Sequence, residues 1–130
     1  MSSLIRRLLF VDDEKELHDL VDVVLEDLKL LITHCLSGEK GLEAMKQDQE
    51  FAVVISNYHM GHGMTGGDFL KSVKQLSPKS SRILVTGGMS EGDLGEMLKK
   101  GDIDGYAIKP IFVDNFIGQV EKGLAAYALA

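Results

Sequence analysis

A chain of 130 residues can bury one hydrophobic core and is too short for two, so a single domain over residues 1–130 is expected, with no separate output domain. Hydrophobic residues at 45% and charged residues at 26% are ordinary for a globular protein and far from the disordered or membrane classes. The net charge of −6 disfavours nucleic acid as a partner, and the apolar runs after Arg6 and Arg7 are too short for a signal peptide or a spanning helix, which points to the cytoplasm and away from the membrane.

Five short runs of branched or aromatic residues alternate with stretches of helical period. The first predicted strand is Leu8 to Val11, followed by a helix whose apolar face carries Leu17, Leu20, Val21, Val24 and Leu28. The second strand, Leu30 to His34, runs into Cys35, which has no partner for an internal disulfide and reads as a buried thiol. Ser37 caps the next helix, with Leu42 and Met45 inward. The third strand, Val53 to Ser56, precedes a helix with Phe69, Leu70, Val73 and Leu76 on its core face. The fourth strand, Ile83 to Thr86, precedes a helix that Ser90 and Asp93 open in a capping-box pattern, with Leu94, Met97 and Leu98 inward. Gly92 and Gly95 each cost that helix about 1 kcal/mol relative to Ala, so it should be short or frayed. The last strand, Gly105 to Ile108, leads to a helix facing the core through Phe116, Val120, Leu124 and Tyr127. Strands apolar on both faces, the second excepted, suit a parallel sheet covered on each side. The fold class is therefore α/β: a (βα)5 doubly wound, five-stranded parallel sheet in a three-layer, flavodoxin-like sandwich.

In such a sheet, ligands sit beyond the carboxyl ends of the strands, and these ends deliver Asp12, Asp13, Asn57, Thr86 and Lys109 to one edge. The runs LLFVDDE, FAVVISNYHM, ILVT and YAIKP together resemble the receiver domain of two-component response regulators, the CheY-like superfamily, over essentially the whole chain. The resemblance implies a signalling module of a phosphorelay rather than an enzyme. It implies Mg2+ bound by Asp12, Asp13, residue 57 and the backbone carbonyl of His59, a phosphoryl contact from Thr86 and Lys109, and a switch made of Thr86 and Tyr106. It also implies a cis bond before Pro110 and signalling through the face of the fourth helix, fifth strand and fifth helix. A sensor kinase, an output domain or a second copy in a homodimer would dock there.

Two departures stand out. The family acceptor is an aspartate, and position 57 holds Asn, whose neutral amide is not a competent nucleophile toward phosphorus. One negative charge is lost as well, so Mg2+ is expected to bind weakly. The family pattern after the acceptor, x-x-Met-Pro-x-x-x-Gly, becomes Tyr58-His59-Met60-Gly61-His62-Gly63-Met64-Thr65-Gly66, with Gly61 in the place of Pro and one residue inserted before Gly66. The expected function is that of a degenerate receiver, or pseudo-receiver, not phosphorylatable at Asn57 and acting through protein contacts. Within the family, the alternative is a conventional receiver with an engineered Asp-to-Asn change at position 57; the altered loop favours natural divergence. A small α/β phosphatase of the haloacid-dehalogenase type would need a second Asp two residues after the nucleophile, where Glu14 stands. A flavin-binding protein would need a phosphate-cradling loop, and DDEKE would repel phosphate. His59 and His62 read as solvent-facing rather than as metal ligands.

Overall fold

The computed structural model describes residues 6–47 and 50–130; of the expected domain, residues 1–5, 48 and 49 lie outside the described residues. Strands β1 (Arg7–Val11), β2 (Leu31–Cys35), β3 (Val53–Asn57), β4 (Ser81–Thr86) and β5 (Gly105–Ile108) form one sheet in the order β2-β1-β3-β4-β5, with every pairing parallel. Helices α1 (Lys15–Val24), α2 (Gly38–Lys46), α3 (Gly66–Leu76), α4 (Glu91–Lys99) and α5 (Val113–Leu129) alternate with them, and a short 3-10 turn, Glu26–Leu28, follows α1. This is the doubly wound, three-layer architecture expected from the pattern of apolar runs.

Alternation along each strand divides the core in two. Leu8, Phe10, Ile55, Ile83 and Val85 pack on one side with Val21, Leu25, Phe116 and Val120 from the α1 and α5 layer. Leu9, Val11, Val54 and Leu84 pack on the other with Phe69, Leu70, Val73 and Leu94 from α3 and α4. Complete burial of Phe10 or Phe69 contributes roughly 2–3 kcal/mol each before entropy is counted.

Helix starts follow side-chain chemistry. Ser37 Oγ accepts from the Lys40 N–H and Ser90 Oγ from the Asp93 N–H, each at 3.1 Å, as expected. Thr65 Oγ1 does the same for Asp68 at 3.1 Å, a third cap that the sequence reading passed over. With its cap in place, α4 forms over nine residues despite Gly92 and Gly95.

Several expectations are corrected. β2 begins and ends one residue later than expected, and β3 continues through Asn57 itself. β5 is an edge strand and is not covered on both sides: Tyr106 is half-buried and Ile108 is exposed. Leu20, Leu76 and Leu98 sit on the water side of their helices, because each stands at the margin of its apolar stripe. Cys35 is half-buried on the β2 edge rather than in the core, and burial still pushes its thiol above the usual range.

The amino edge of the sheet, opposite the candidate site, is held at one side by Arg82. This buried side chain donates to the carbonyls of Gly101 at 3.0 Å, Asp102 at 3.1 Å and Ser80 at 3.2 Å. Its guanidinium thereby ties the turn between α4 and β5 to β4, with Asp104 at 3.8 Å as counter-ion.

Candidate functional site at the carboxyl edge of the sheet

Because all five strands run the same way, the residues that end β1, β3, β4 and β5 share one edge. Asp12 follows β1 directly and is fully buried. Its Oδ1 accepts the Glu14 N–H at 2.9 Å, and its Oδ2 lies 3.5 Å from Lys109 Nζ. Burial pushes the carboxyl above its ordinary range, outweighing the downward pull of the Glu14 N–H and of Lys109. Lys109 is closer still to Glu14, at 3.0 Å from Oε1, a partner the sequence reading did not assign. Asp13 does not cap α1. Glu14 occupies the N-cap of α1 without a side-chain capping bond, and Asp13 is exposed at the rim.

Asn57 closes β3 and is 5% exposed, so its amide must find partners inside the protein. Its Nδ2–H donates to the backbone carbonyl of His59, two residues on. The adjacent backbone is held on both sides, with the Tyr58 N–H on the Val85 carbonyl at 2.9 Å and the Ser56 hydroxyl on the Asn57 carbonyl at 2.9 Å. The Gly66 N–H donates to the Tyr58 carbonyl at 2.8 Å, which closes the β3–α3 loop on itself. A Cβ at Gly66 would stand 2.0 Å from the Asn57 carbonyl oxygen, so only glycine permits that approach. At the loop tip, Gly61 has φ +66, and a Cβ there would lie 3.8 Å from Asp13 Oδ2, so the tip and the rim acid face each other.

Thr86 is buried, and its Oγ1 accepts the Gly88 N–H at 3.3 Å. The Lys109–Pro110 bond is cis, as the resemblance implied. Tyr106 lies on β5, packed against the α3 and α4 side of the core, and lines a groove of about 620 Å3 with Leu98, Ile108 and Phe112. The edge thus brings Asp12, Glu14 and Lys109 into one cluster and ties Asn57 to His59. Tyr106 belongs to the groove of the α4–β5–α5 face. The side chains of His59 and His62 are exposed, as expected.

One constellation went unread in the sequence. His18 is buried, its Nε2 is 2.7 Å from the Asp12 carbonyl, and its Nδ1 is 2.6 Å from His34 Nδ1. His34 Nε2 in turn reaches Asp22 Oδ1 at 2.7 Å. The carbonyl has no proton to give, so His18 donates there through Nε2–H. A continuous hydrogen-bonded chain runs from the backbone of the site acid to the surface of α1. The available signal was helical spacing: His18 stands three residues before Val21, on the same face.

A doubly wound sheet with a buried acid, a strand-end lysine before a cis proline and a strand-end threonine at one edge defines a receiver-like signalling domain. Comparison with known proteins makes the assignment specific. The family model for the response regulator receiver domain matches residues 8–121, and the chain belongs to that family. It is similar to the transcriptional regulatory protein ZraR of Escherichia coli, with 31% identity over 118 residues covering 91% of this chain and 26% of that protein. It is also similar to the hydrogenase transcriptional regulatory protein HoxA of Cupriavidus necator, with 28% identity covering 99% of this chain and 26% of that protein. The chain therefore spans about a quarter of the length of these curated relatives. Among solved structures, a chain described as adenylate cyclase from Rhodopirellula baltica superposes with TM-score 0.89 at 25% identity, covering 97% of this chain and 92% of that one. A CheY-like receiver domain from Methanospirillum hungatei shares the fold, with TM-score 0.84 at 22% identity, covering 95% and 97% of the two chains.

Receiver domains typically bind Mg2+ at the phosphorylation site. The donors present here do not fit that ion as they are arranged. The His59 carbonyl, one of the oxygens the resemblance assigns to the metal, is faced by the Asn57 N–H, and Asp12 is already engaged by Glu14 and Lys109. A cation placed at that carbonyl would confront the partial positive charge of the amide hydrogens. Among the described residues, no cluster of three or more His, Cys, Asp or Glu side chains is placed to hold a metal. Also among the described residues, no helix is long and apolar enough to cross a membrane.

Proposed function

We propose that this chain is a degenerate receiver: a signalling module that takes no phosphoryl group at residue 57 and works through protein contacts. The observation that carries this reading is Asn57. In phosphotransfer an acceptor carboxylate oxygen attacks phosphorus while the donor's leaving group departs, giving an acyl phosphate. The amide nitrogen lone pair of Asn57 is delocalised into its carbonyl, and one of its two N–H groups is committed to His59. With residue 57 neutral, Lys109 is left to the two acids Asp12 and Glu14.

The contact surface most in keeping with this reading is the groove between α4, β5 and α5. Phe112 is 75% exposed there, and Leu98 and Ile108 add apolar area beside the half-buried Tyr106. A sensor kinase, an output domain of the same or another chain, or a second copy would meet the domain at this face. The length of the curated relatives supports an output domain elsewhere in a larger protein.

The test is the intact mass of the protein after incubation with Mg2+ and a small-molecule phosphodonor. No phosphoryl adduct is expected, while Asn57→Asp should gain one. An adduct on the unsubstituted chain would overturn the proposal, and its position would identify the true acceptor.

A further inference from the structure

The same contact that spoils the metal site also completes it in another way. In a receiver pocket as the resemblance describes it, oxygen atoms from residue 57 and from the carbonyl of residue 59 converge, and a divalent cation relieves their mutual repulsion. Here Asn57 turns its nitrogen toward that carbonyl and supplies a hydrogen-bond donor in the cation's place. Lys109 supplies the remaining positive charge, reaching both Asp12 and Glu14. The Glu14 N–H satisfies Asp12 Oδ1, and no buried side-chain polar atom among the described residues lacks a partner. Asp12, Glu14 and Asn57 thus find their partners among protein groups alone, while Asp13 stays at the exposed rim.

We infer that the Asn57 carboxamide and the Lys109 ammonium together replace the divalent cation, so that this site holds its geometry without metal and is indifferent to Mg2+. Two orientations of the amide are in competition. With nitrogen toward His59 the contact is attractive and needs no ion. With oxygen toward His59, two acceptors face each other and only a bound cation would stabilise the pair. The observed orientation is the first, and its cost is low because the Asn57 side chain is otherwise enclosed and the loop backbone is pinned at Tyr58 and Gly66. Asn57→Asp should reverse the situation. A carboxylate has no donor for the His59 carbonyl, so that variant depends on a cation for what the amide does internally.

The inference rests on reading this edge as a receiver pocket, and its test is independent of phosphoryl transfer. Thermal unfolding would be followed for the wild-type chain and Asn57→Asp, each in EDTA and in excess Mg2+. The wild-type midpoint is expected to be the same in both conditions. Asn57→Asp is expected to melt lower than wild type in EDTA and to recover by roughly 5 °C when Mg2+ is about tenfold above its dissociation constant. A wild-type chain stabilised by Mg2+ as strongly as the variant would overturn the inference, as would an Asn57→Asp variant equally stable with and without the ion. If Asn57→Asp does not fold, the wild-type chain decides alone. Substoichiometric Mn2+ should leave the Asn57 side-chain amide and the backbone amides from residue 57 to 60 unbroadened in NMR spectra, and selective broadening there would refute it. A phosphoryl adduct on the wild-type chain would refute the proposed function and leave this metal result standing.

Discussion

Lys109 Nζ stands 3.0 Å from Glu14 Oε1 and 3.5 Å from Asp12 Oδ2, so the site lysine is shared between a surface acid and a buried one. The two acids have unequal claims. Glu14 is more than half exposed, and its pair with Lys109 is worth at most about 1 kcal/mol. Glu14→Gln should therefore lower stability by less than about 1 kcal/mol in denaturant unfolding, with an effect that shrinks in high salt.

Asp12 behaves differently, because burial raises its carboxyl pKa above the ordinary 3.8. A carboxyl that holds its proton more tightly when folded favours the folded state in acid, and that contribution is lost as pH climbs from the ordinary value through the raised one. Asp12→Asn cannot titrate. Its stability relative to wild type is expected to improve between pH ~3 and pH ~7 in paired unfolding curves. A relative loss over that range would mean that Lys109 and the Glu14 N–H outweigh burial.

Gly66→Ala places a methyl group 2.0 Å from the Asn57 carbonyl oxygen, which is backbone and cannot swing aside. The variant should lose about 3 kcal/mol or more in equilibrium unfolding, the range of an overpacked core. Gly95→Ala is the control: nothing lies within 4 Å of a Cβ there. It should gain a few tenths to about 1 kcal/mol from helix propensity.

Arg82→Met removes three well-made bonds to the Gly101, Asp102 and Ser80 carbonyls while keeping an apolar stem. A loss of roughly 3 kcal/mol is expected, since bonds from a charged donor are worth about 1.5–3 kcal/mol each and the freed carbonyls are partly rehydrated. Hydrogen exchange should report faster opening at residues 101–104 than in β1 or β3.

Tyr127 donates its hydroxyl to Glu50 Oε2 at 2.6 Å, and partial burial together with Glu50 pushes its pKa from 10.0 up to about 12. At neutral pH, Tyr127→Phe should cost no more than about 1 kcal/mol. A raised folded pKa means this advantage of wild type is present below the ordinary value and fades as pH rises toward 12, where the phenol ionises in both states. Unfolding at neutral pH and at pH ~11 compares the two, and a phenolate absorbance titration should lose its highest step in the variant.

The common edge was legible in sequence because parallel strand ends carry their residues to one side: Asp12, Asn57, Thr86 and Lys109 could be placed there from the apolar runs that precede them. Side-chain direction was not legible in the same way. Nothing in the string NYH says that the Asn57 amide turns to a carbonyl two residues on, or that Lys109 prefers Glu14 to Asp12 by half an ångström. Edge position was similarly hidden, since β5 is as apolar as a central strand and its place is decided by strand order, not by its own residues. In α1, hydropathy nominated Leu20 for the buried face, where the structure instead buries His18. The imidazole is admitted because the Asp12 carbonyl and His34 satisfy both ring nitrogens, a compensation that no hydropathy scale records.

The bond from the Gly66 N–H to the Tyr58 carbonyl works as a clasp on a ring of chain. The bonds that fix the backbone at residue 57 lie on the near side of that clasp, the side-chain bond of Asn57 reaches only the first residue inside it, His59, and the exposed tip at Gly61, His62 and Gly63 hangs farther out. The number of residues in the ring is thereby decoupled from the position of the site. An extra residue costs only the slow logarithmic increase of loop-closure entropy, about 0.6 kcal/mol for each doubling of length. The tip is thus the natural seam in this domain for length variation, and a short peptide spliced between His62 and Gly63 should ride on the fold without moving Asn57.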